Sequence, residues 1–482
     1  MGASVGSRRI RYRAQSDGRC ALTHDEGRAE AFYAARDMRT FQYGADSAAL
    51  AKPVALSIDP ASAASRPGQV AFLALVEMLF RVHRNVRLDV PQVVLSTGET
   101  LRDASLRTAA AIDPFQDPVH EPADDEHTVI VSSHPVTASP SPDVTATWSG
   151  GRGEVSIRGA RADKLDASQP DRNTADASQE RDVLGAATSA CLAAAALFTL
   201  VHDGWPTPAA INLLTLSADA NTDTAVGPID VGNILVVGGG AVGHALTYWA
   251  NIFGIRGGWA VIDGDTCELH NTNRCMGMTV ADAGWPEGAP TGRARPKAES
   301  AAENCSARSI PLWYRDAMRH EARADLILVL ANEQGVRESI ASQGEPLLLH
   351  ATTSSQWTAE LHRHIPDRDD CPACRIPSHS RASFACAEGP ARPADPASSD
   401  AALPFLSAGA GLMLCVALLD LDKNARILRG RTNHWRLHLE LPAGSPIQEA
   451  IHRGTSCPHH LKPSVRRSLY VANPRRWDDL PN

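Results

Sequence analysis

The chain has 482 residues, 43% of them hydrophobic and 21% charged, with a formal net charge of −8. That is enough apolar material for the cores of two domains of ordinary size, and the acidic balance excludes a nucleic-acid coat or a polybasic membrane-binding surface. Ten cysteines, scattered except for one C-x-x-C, describe a reduced cytoplasmic protein rather than a disulfide framework.

The N-terminal MGASVGSRRIRYR is basic with no apolar run behind it, so no secretory signal is expected. Residues 1 to about 45 are polar, with one helical patch, EGRAEAFYAARDMRTF, that needs contact with another part of the chain for order. Then PVALSI predicts a strand, GQVAFLALVEMLFRV a helix and VRLDVPQVVLS a further strand region. HTVIV alternates as a strand should, and ATWSG with GEVSIRG predicts a hairpin. RDVLGAATSACLAAAALFTLV is the strongest helix of this half. The most apolar stretches, around 187–201 and 405–421, fall short of the ~20 residues of a membrane span, so none is expected. A turn-rich connector, residues 202–232, places a domain boundary near 225. Beyond it ILVV, WAVID, LILVLA and EPLLLHA are strands alternating with helices AVGHALTYWANIFG and PKAESAAENC. Such alternation predicts a mostly parallel α/β sheet with ligands at the carboxyl ends of its strands.

VVGGGAVGH sets Gly238, Gly240 and Gly243, with Gly239 between, in G-x-G-x-x-G order between a strand and a helix. Glycines let the backbone approach phosphates, and the helix N-terminus favours an anion. Asp263 closes the next strand where a ribose-binding carboxylate belongs. To this point NAD, FAD and ATP fit equally. Asp265, Asn271, Asn273 and Arg274 follow on one polar segment, and Lys297 opens a helix in GRARPKAES. An adenylation site needs cations and amides on a triphosphate, whereas a hydride-transfer site has no use for a second cation.

The ordered set GGGAVG, VIDGDTCELHNTNR, GRARPKAES, DLILVLANEQGVRES, CPAC and CAEG resembles the superfamily of ubiquitin-activating enzymes and their bacterial relatives ThiF and MoeB. The resemblance covers residues 230 to about 460 and implies a Rossmann-like adenylation domain, 226–482, that uses ATP and Mg2+. It implies that Asp263 binds ribose while Asn271, Arg274 and Lys297 contact phosphates. Residues 1–225 resemble, more faintly, the inactive half that eukaryotic activating enzymes fuse before their active one. A degenerate half before an active half looks like the activating enzymes of bacterial ubiquitin-like conjugation operons, some linked to phage defence. The partners implied are a ubiquitin-like protein, bound by its C-terminal glycine carboxylate, and a conjugating enzyme. An arginine from the first half, Arg36 or Arg39, would complete the ATP site, and a two-fold homodimer is compatible. Cys275 stands where the family often has glutamine. Asn332, followed by Glu333, stands where it supplies a magnesium-binding aspartate, leaving Asn332, Glu333 and Asp265 as the candidate Mg2+ ligands.

Cys371 and Cys374 in CPAC, with Cys457 and His460 in CPHH, give two i, i+3 hooks suited to a structural tetrahedral zinc, with His459 as a spare. The bland alternative is a redox C-x-x-C beside an unrelated CPHH. Cys386 lies in a Gly/Pro/Ser-rich segment, 377–404, expected to be a mobile cysteine loop, where relatives place a working cysteine that accepts the acyl group as a thioester. His362, His364 and His379 join no complete constellation and are assigned to surface or strand positions. The rival functions are a sulfur-carrier adenylyltransferase, an NAD- or FAD-dependent oxidoreductase and an inactive scaffold.

Overall fold

The structure is a computed structural model that describes residues 24–41, 45–134, 136, 141–149, 151–158, 175–216, 229–286, 292–317, 324–354, 356–376, 403–423, 426–440, 446–454, 457–474 and 476–480. Strands β1 (Val54–Ile58), β2 (Val86–Asp89), β3 (His127–Val131), β4 (Val144–Ser149), β5 (Arg152–Ile157) and β6 (Ala209–Asn212) form one sheet, in the order β2-β1-β3-β4-β5-β6. Strands β7 (Asp230–Val237), β8 (Arg256–Ile262), β9 (Arg308–Ile310), β10 (Leu326–Val329), β11 (Leu348–Thr353), β12 (Thr358–His364), β13 (His434–His438) and β14 (Ile447–Ala450) form the other, in the order β14-β13-β12-β11-β10-β7-β8-β9. The α/β expectation holds in both.

The order of the first sheet recurs in the second as β8-β7-β10-β11-β12-β13, with the same pairing at each step. β1 is parallel to β2 and β3, and β7 is parallel to β8 and β10. The switch to antiparallel falls at β4/β5 in one half and at β11/β12 in the other. A long apolar helix intervenes between the last two corresponding strands each time, Ala175–Val201 between β5 and β6, Pro404–Lys423 between β12 and β13. These two helices pack on each other and on helices Arg66–Val82 and Ala241–Ile252, so one continuous core joins the halves. Their stretches Asp182–Val201 and Pro404–Leu421 are long and apolar enough to cross a membrane, longer than the sequence suggested, but 89% and 100% of their respective test windows are buried within the protein.

Local chemistry sets these elements. Helix Arg66–Val82 starts where the Ser65 side chain accepts a hydrogen bond from Gly68 N–H, with Pro67 in its first turn. Strand β6 was hidden in the turn-rich connector because its four residues, Ala-Ala-Ile-Asn, are too short to show alternation. The predicted N-terminal patch folds as helix His24–Arg36, and Phe32 meets Trp285 of the second half at 5.6 Å between ring centroids. Contact with the other half thus orders it.

Candidate functional site

Strand β7 runs into Gly238, whose φ of +111° and close approach to the Leu330–Ala331 backbone leave no room for a side chain. A Cβ on Gly243 would lie 2.3 Å from the Gly238 carbonyl oxygen, so this glycine lets the helix sit directly on the turn. A Cβ on Gly240, at the helix N-cap, would meet nothing within 4 Å. That open space in front of a helix N-terminus is where a phosphate fits.

The first half closes the equivalent place. After β1 the Asp59 carboxylate accepts hydrogen bonds from Ala61 N–H and Ser62 N–H, both at 3.0 Å, and fills the helix end with its own negative charge. Burial raises the Asp59 pKa, but the Ser62 and Ala61 hydrogen bonds outweigh it and hold the carboxyl below its usual range. An anion has no seat there.

In the second half Asp263 accepts hydrogen bonds from Gly239 N–H at 2.7 Å and Asp265 N–H at 2.9 Å, tying the glycine turn to the next loop. Lys297 Nζ lies 2.9 Å from Asp265 Oδ2, and its N–H bonds the Asp265 carbonyl. Burial pushes the Asp263 carboxyl up, with Lys297 opposing. Glu333 is also raised, by burial and then by Asp265 and Asp263, so three carboxylates repel one another at the carboxyl ends of β8 and β10. A divalent cation would relieve that repulsion. Asn332 is exposed and accepts from Arg337 at 3.4 Å.

Segment 269–278 carries one further cation, Arg274. Asn271 accepts the Glu268 N–H through its side-chain oxygen in a capping box, and so shapes the loop. Arg274 donates to the His270 carbonyl at 2.7 Å and to Asn273 Oδ1 at 3.1 Å. His270 is held down to about pH 3, first by burial and then by Arg274, Arg39 and Lys297. The charges of Arg274, Arg39 and Lys297, from three separate segments, thus all act on His270. Of the two first-half candidates, Arg36 is paired with Asp37 and Asp113 at 2.6 and 2.7 Å and fully buried, while the Asp37–Arg39 turn packs against the Leu269–Asn271 turn and the next residue, Thr40, accepts a hydrogen bond from Asn273 Nδ2 at 3.0 Å.

These features stand beside several likenesses. The family described as BilD N-terminal domain matches residues 53–213. Among solved structures the chain is similar to Escherichia coli MccB crystallised with AMPCPP and selenomethionine MccA, at 14% identity over 47% of this chain and 65% of that one, with a TM-score of 0.33. It is similar to Escherichia coli MccB with ATP, at 13% identity over 47% of this chain and 65% of that one, TM-score 0.30. It is also similar to PaaA, at 15% identity over 46% of this chain and 64% of that one, TM-score 0.32. The chain thus spans just under two thirds of these relatives' length. No curated protein matches it.

Sequence reasoning missed two features around the cation loop. Arg81, fully buried on helix Arg66–Val82, donates to the carbonyls of Thr272 at 2.6 Å and Met278 at 2.9 Å and pairs with Glu77, which also accepts Gly277 N–H. The first half thus braces the loop of the second, and only a long-range contact shows it. Arg81→Met is expected to cost about 3–5 kcal/mol, because it leaves the Glu77 carboxylate without its cation and two buried carbonyls without a donor; urea unfolding measures it, and a loss under 1 kcal/mol would contradict the brace. The second feature is Cys275, buried against His244. Burial raises the thiol, but the His244 imidazole, then Arg274 and Lys297, outweigh it and hold the thiol low. Cys275 reciprocally holds His244 up against burial. The motif showed only the loss of a glutamine there.

The second centre joins the CPAC turn to the C-terminal segment. Cys371 Sγ lies 3.3 Å and Cys374 Sγ 3.5 Å from His459 Nδ1, and Cys374 and Cys457 sulfurs are 3.6 Å apart. Zinc bonds of ~2.3 Å to sulfur and ~2.1 Å to nitrogen in a tetrahedron give edges of this size. Among the described residues it is His459, the spare, rather than His460 whose ring nitrogen groups with the three sulfurs, which shifts the expected spacing by one residue. Residues 371–374 sit on a helical turn that aligns i with i+3, whereas Cys457-Pro458-His459 makes a non-helical turn that swings the i+2 ring inward. Cys386 and most of the expected 377–404 loop lie outside the described residues.

Proposed function

We propose that this chain adenylates the C-terminal glycine carboxylate of a ubiquitin-like protein with ATP and passes the acyl group through Cys386 to a conjugating enzyme. The observation that carries the proposal is the open glycine-bordered helix end with Lys297 held at 2.9 Å by Asp265 beside it, next to the loop that bears Arg274 and against which the Asp37–Arg39 turn packs. A triphosphate matches that charge; a nicotinamide or flavin cofactor does not require it. The sequence resemblance to ubiquitin-activating enzymes supports the same assignment. Residues 1–225 then act as a degenerate adenylation half that supplies Arg39 and the Arg81 brace.

In this mechanism the N–H groups behind Gly240 receive phosphate, and Asp263 faces the ribose. A carboxylate oxygen of the partner bonds the α-phosphorus as the bond to pyrophosphate breaks. Arg39, Arg274 and Lys297 stabilise the charge that collects on the leaving group. Asp265 and Glu333 are the residues placed to hold Mg2+, whose chemistry would be neutralisation of pyrophosphate charge. The Cys386 thiolate then attacks the activated carbonyl and AMP leaves.

Exchange of labelled pyrophosphate into ATP, dependent on a glycine-terminated carrier protein, is the expected result. A protein that shows no exchange and carries bound nicotinamide or flavin absorbance would refute the assignment. Cys386→Ala is expected to abolish a thiol-sensitive carrier adduct on non-reducing gels while leaving exchange intact. Persistence of the adduct removes Cys386 from the mechanism, and transfer of the acyl group to a sulfur donor marks a sulfur-carrier adenylyltransferase instead.

A further inference from the structure

We propose that Glu360, His362 and His434 form a second metal site, separate from the cysteine centre, for a first-row divalent ion that prefers nitrogen and oxygen, such as Zn2+, Co2+ or Fe2+. His362, expected at a surface or strand position, is a strand residue and buried, 1% exposed, and His434 opposite it is 6% exposed. They lie directly opposite each other in the antiparallel β12/β13 ladder, and Glu360 stands two residues before His362, hence on the same face. Glu360 Oε2 is 2.9 Å from His434 Nε2 and 3.5 Å from His362 Nε2. One ligand atom from each lies within 4.8 Å of the others. Ligands ~2.1 Å from a tetrahedral ion are ~3.4 Å apart, so the carboxylate already has the spacing and a small pivot of the two stacked rings closes the rest.

The outer groups suit a ligand set. Glu360 Oε1 takes a hydrogen bond from Thr358 at 2.7 Å, which fixes the carboxylate and leaves Oε2 facing the rings. His434 Nδ1 is 3.3 Å from His452 Nε2, a partner for the ring edge that points away from the ion. His362 Nε2 is buried with no well-formed hydrogen bond, and an ion would give it a partner. Arg375 lies 3.0 Å from His362 Nδ1, and its other nitrogens are held by Asp370. An ion in the site turns that arginine further onto Asp370, because a metal-bound imidazole carries its proton at Nδ1 and no longer accepts there. Two histidines and one carboxylate leave a coordination position open for water or an incoming group.

Metal counting on the full chain tests this. The protein is stripped, reloaded with Zn2+, dialysed and measured by plasma mass spectrometry, beside Cys374→Ser, His434→Ala and Glu360→Gln. The expected result is an equivalent of zinc that survives Cys374→Ser, is lost in His434→Ala and is held at least tenfold more weakly in Glu360→Gln. Loading with Co2+ should add weak visible bands without thiolate charge transfer in the Cys374→Ser protein. The proposal is overturned if Cys374→Ser retains no ion, or if the ion it retains is indifferent to both Glu360→Gln and His434→Ala. Glu360→Gln keeps the shape of the side chain, so it decides the matter even where His434→Ala fails to fold.

Discussion

Replacing Lys297 with alanine is expected to lower ATP–pyrophosphate exchange by about 10²–10³-fold, the usual loss when one pre-placed donor to a developing anion is removed. The expectation rests on position as well as charge. Lys297 begins helix Lys297–Glu303, its backbone and Nζ are both tied to Asp265, and Asp263 and Glu333 face the same space. Without the ammonium, three carboxylates would repel the triphosphate they should help to hold through Mg2+. Lys297→Arg should recover part of the rate, because it restores charge but not a compact ammonium's fit to Asp265. Exchange kinetics with a folded variant, checked by circular dichroism, measures the effect. A change of less than threefold would remove Lys297 from the chemistry and leave it as a structural partner of Asp265.

The part of this site that the sequence disclosed was local. Glycine spacing, the strand before it and Asp263 lie within a single βαβ unit, and Gly238 and Gly243 are forced by a backbone approach that no side chain tolerates. The parallel pairing of this region followed from the alternation of apolar runs with helices, while its strand order came only from the structure. What stayed hidden depends on contacts far apart in the chain. Nothing near Arg39 says that its turn packs against the loop that bears Arg274, and nothing near Arg81 says that it holds Thr272 and Met278. The antiparallel strands β12 to β14 were obscure for another reason. Their second face is polar yet buried, so Glu360, His362 and His434 look like solvent-facing residues until the pairing of β12 with β13 brings them together. The exchange of His459 for His460 has the smallest cause: an i, i+3 rule carried from a helical turn to one that is not helical.

The largest expected effect on stability comes from the cysteine centre. Structural zinc contributes apparent binding energies of about 10–16 kcal/mol in small folded units, and here the ligands connect the residues after β12 to the last segment of the chain. Cys371 is fully buried at the start of its turn; Cys457 and burial push its thiol up, and the Cys374 N–H that its sulfur accepts at 3.3 Å opposes them, so a cation between the sulfurs is what would hold it as a thiolate. The segment beyond Cys457 has its other main anchors near its far end, where Trp477 and Leu480 pack on the core and Arg476 donates to the Asp230 carbonyl. Helix Pro463–Ala472 buries only Arg466, which pairs with Asp367, while Val471 is 79% exposed. Chelation of the metal, or Cys371→Ser, is therefore expected to release residues 457–480 first and to lower the thermal midpoint by 10 °C or more, on the order of several kcal/mol for a chain of this size. Hydrogen exchange should show the loss of protection beginning at helix Pro463–Ala472 and spreading to the residues around Asp369, whose carbonyl packs on Gly454 and whose carboxylate holds Arg363. If the midpoint and the protection of 463–472 are unchanged after complete metal removal, the four ligands are a redox or adventitious cluster, and the C-terminal segment is held by the Arg466–Asp367 pair, the Tyr470 bond to the Gly344 carbonyl, the Arg476 bond to the Asp230 carbonyl and the packing of Trp477 and Leu480 on the core.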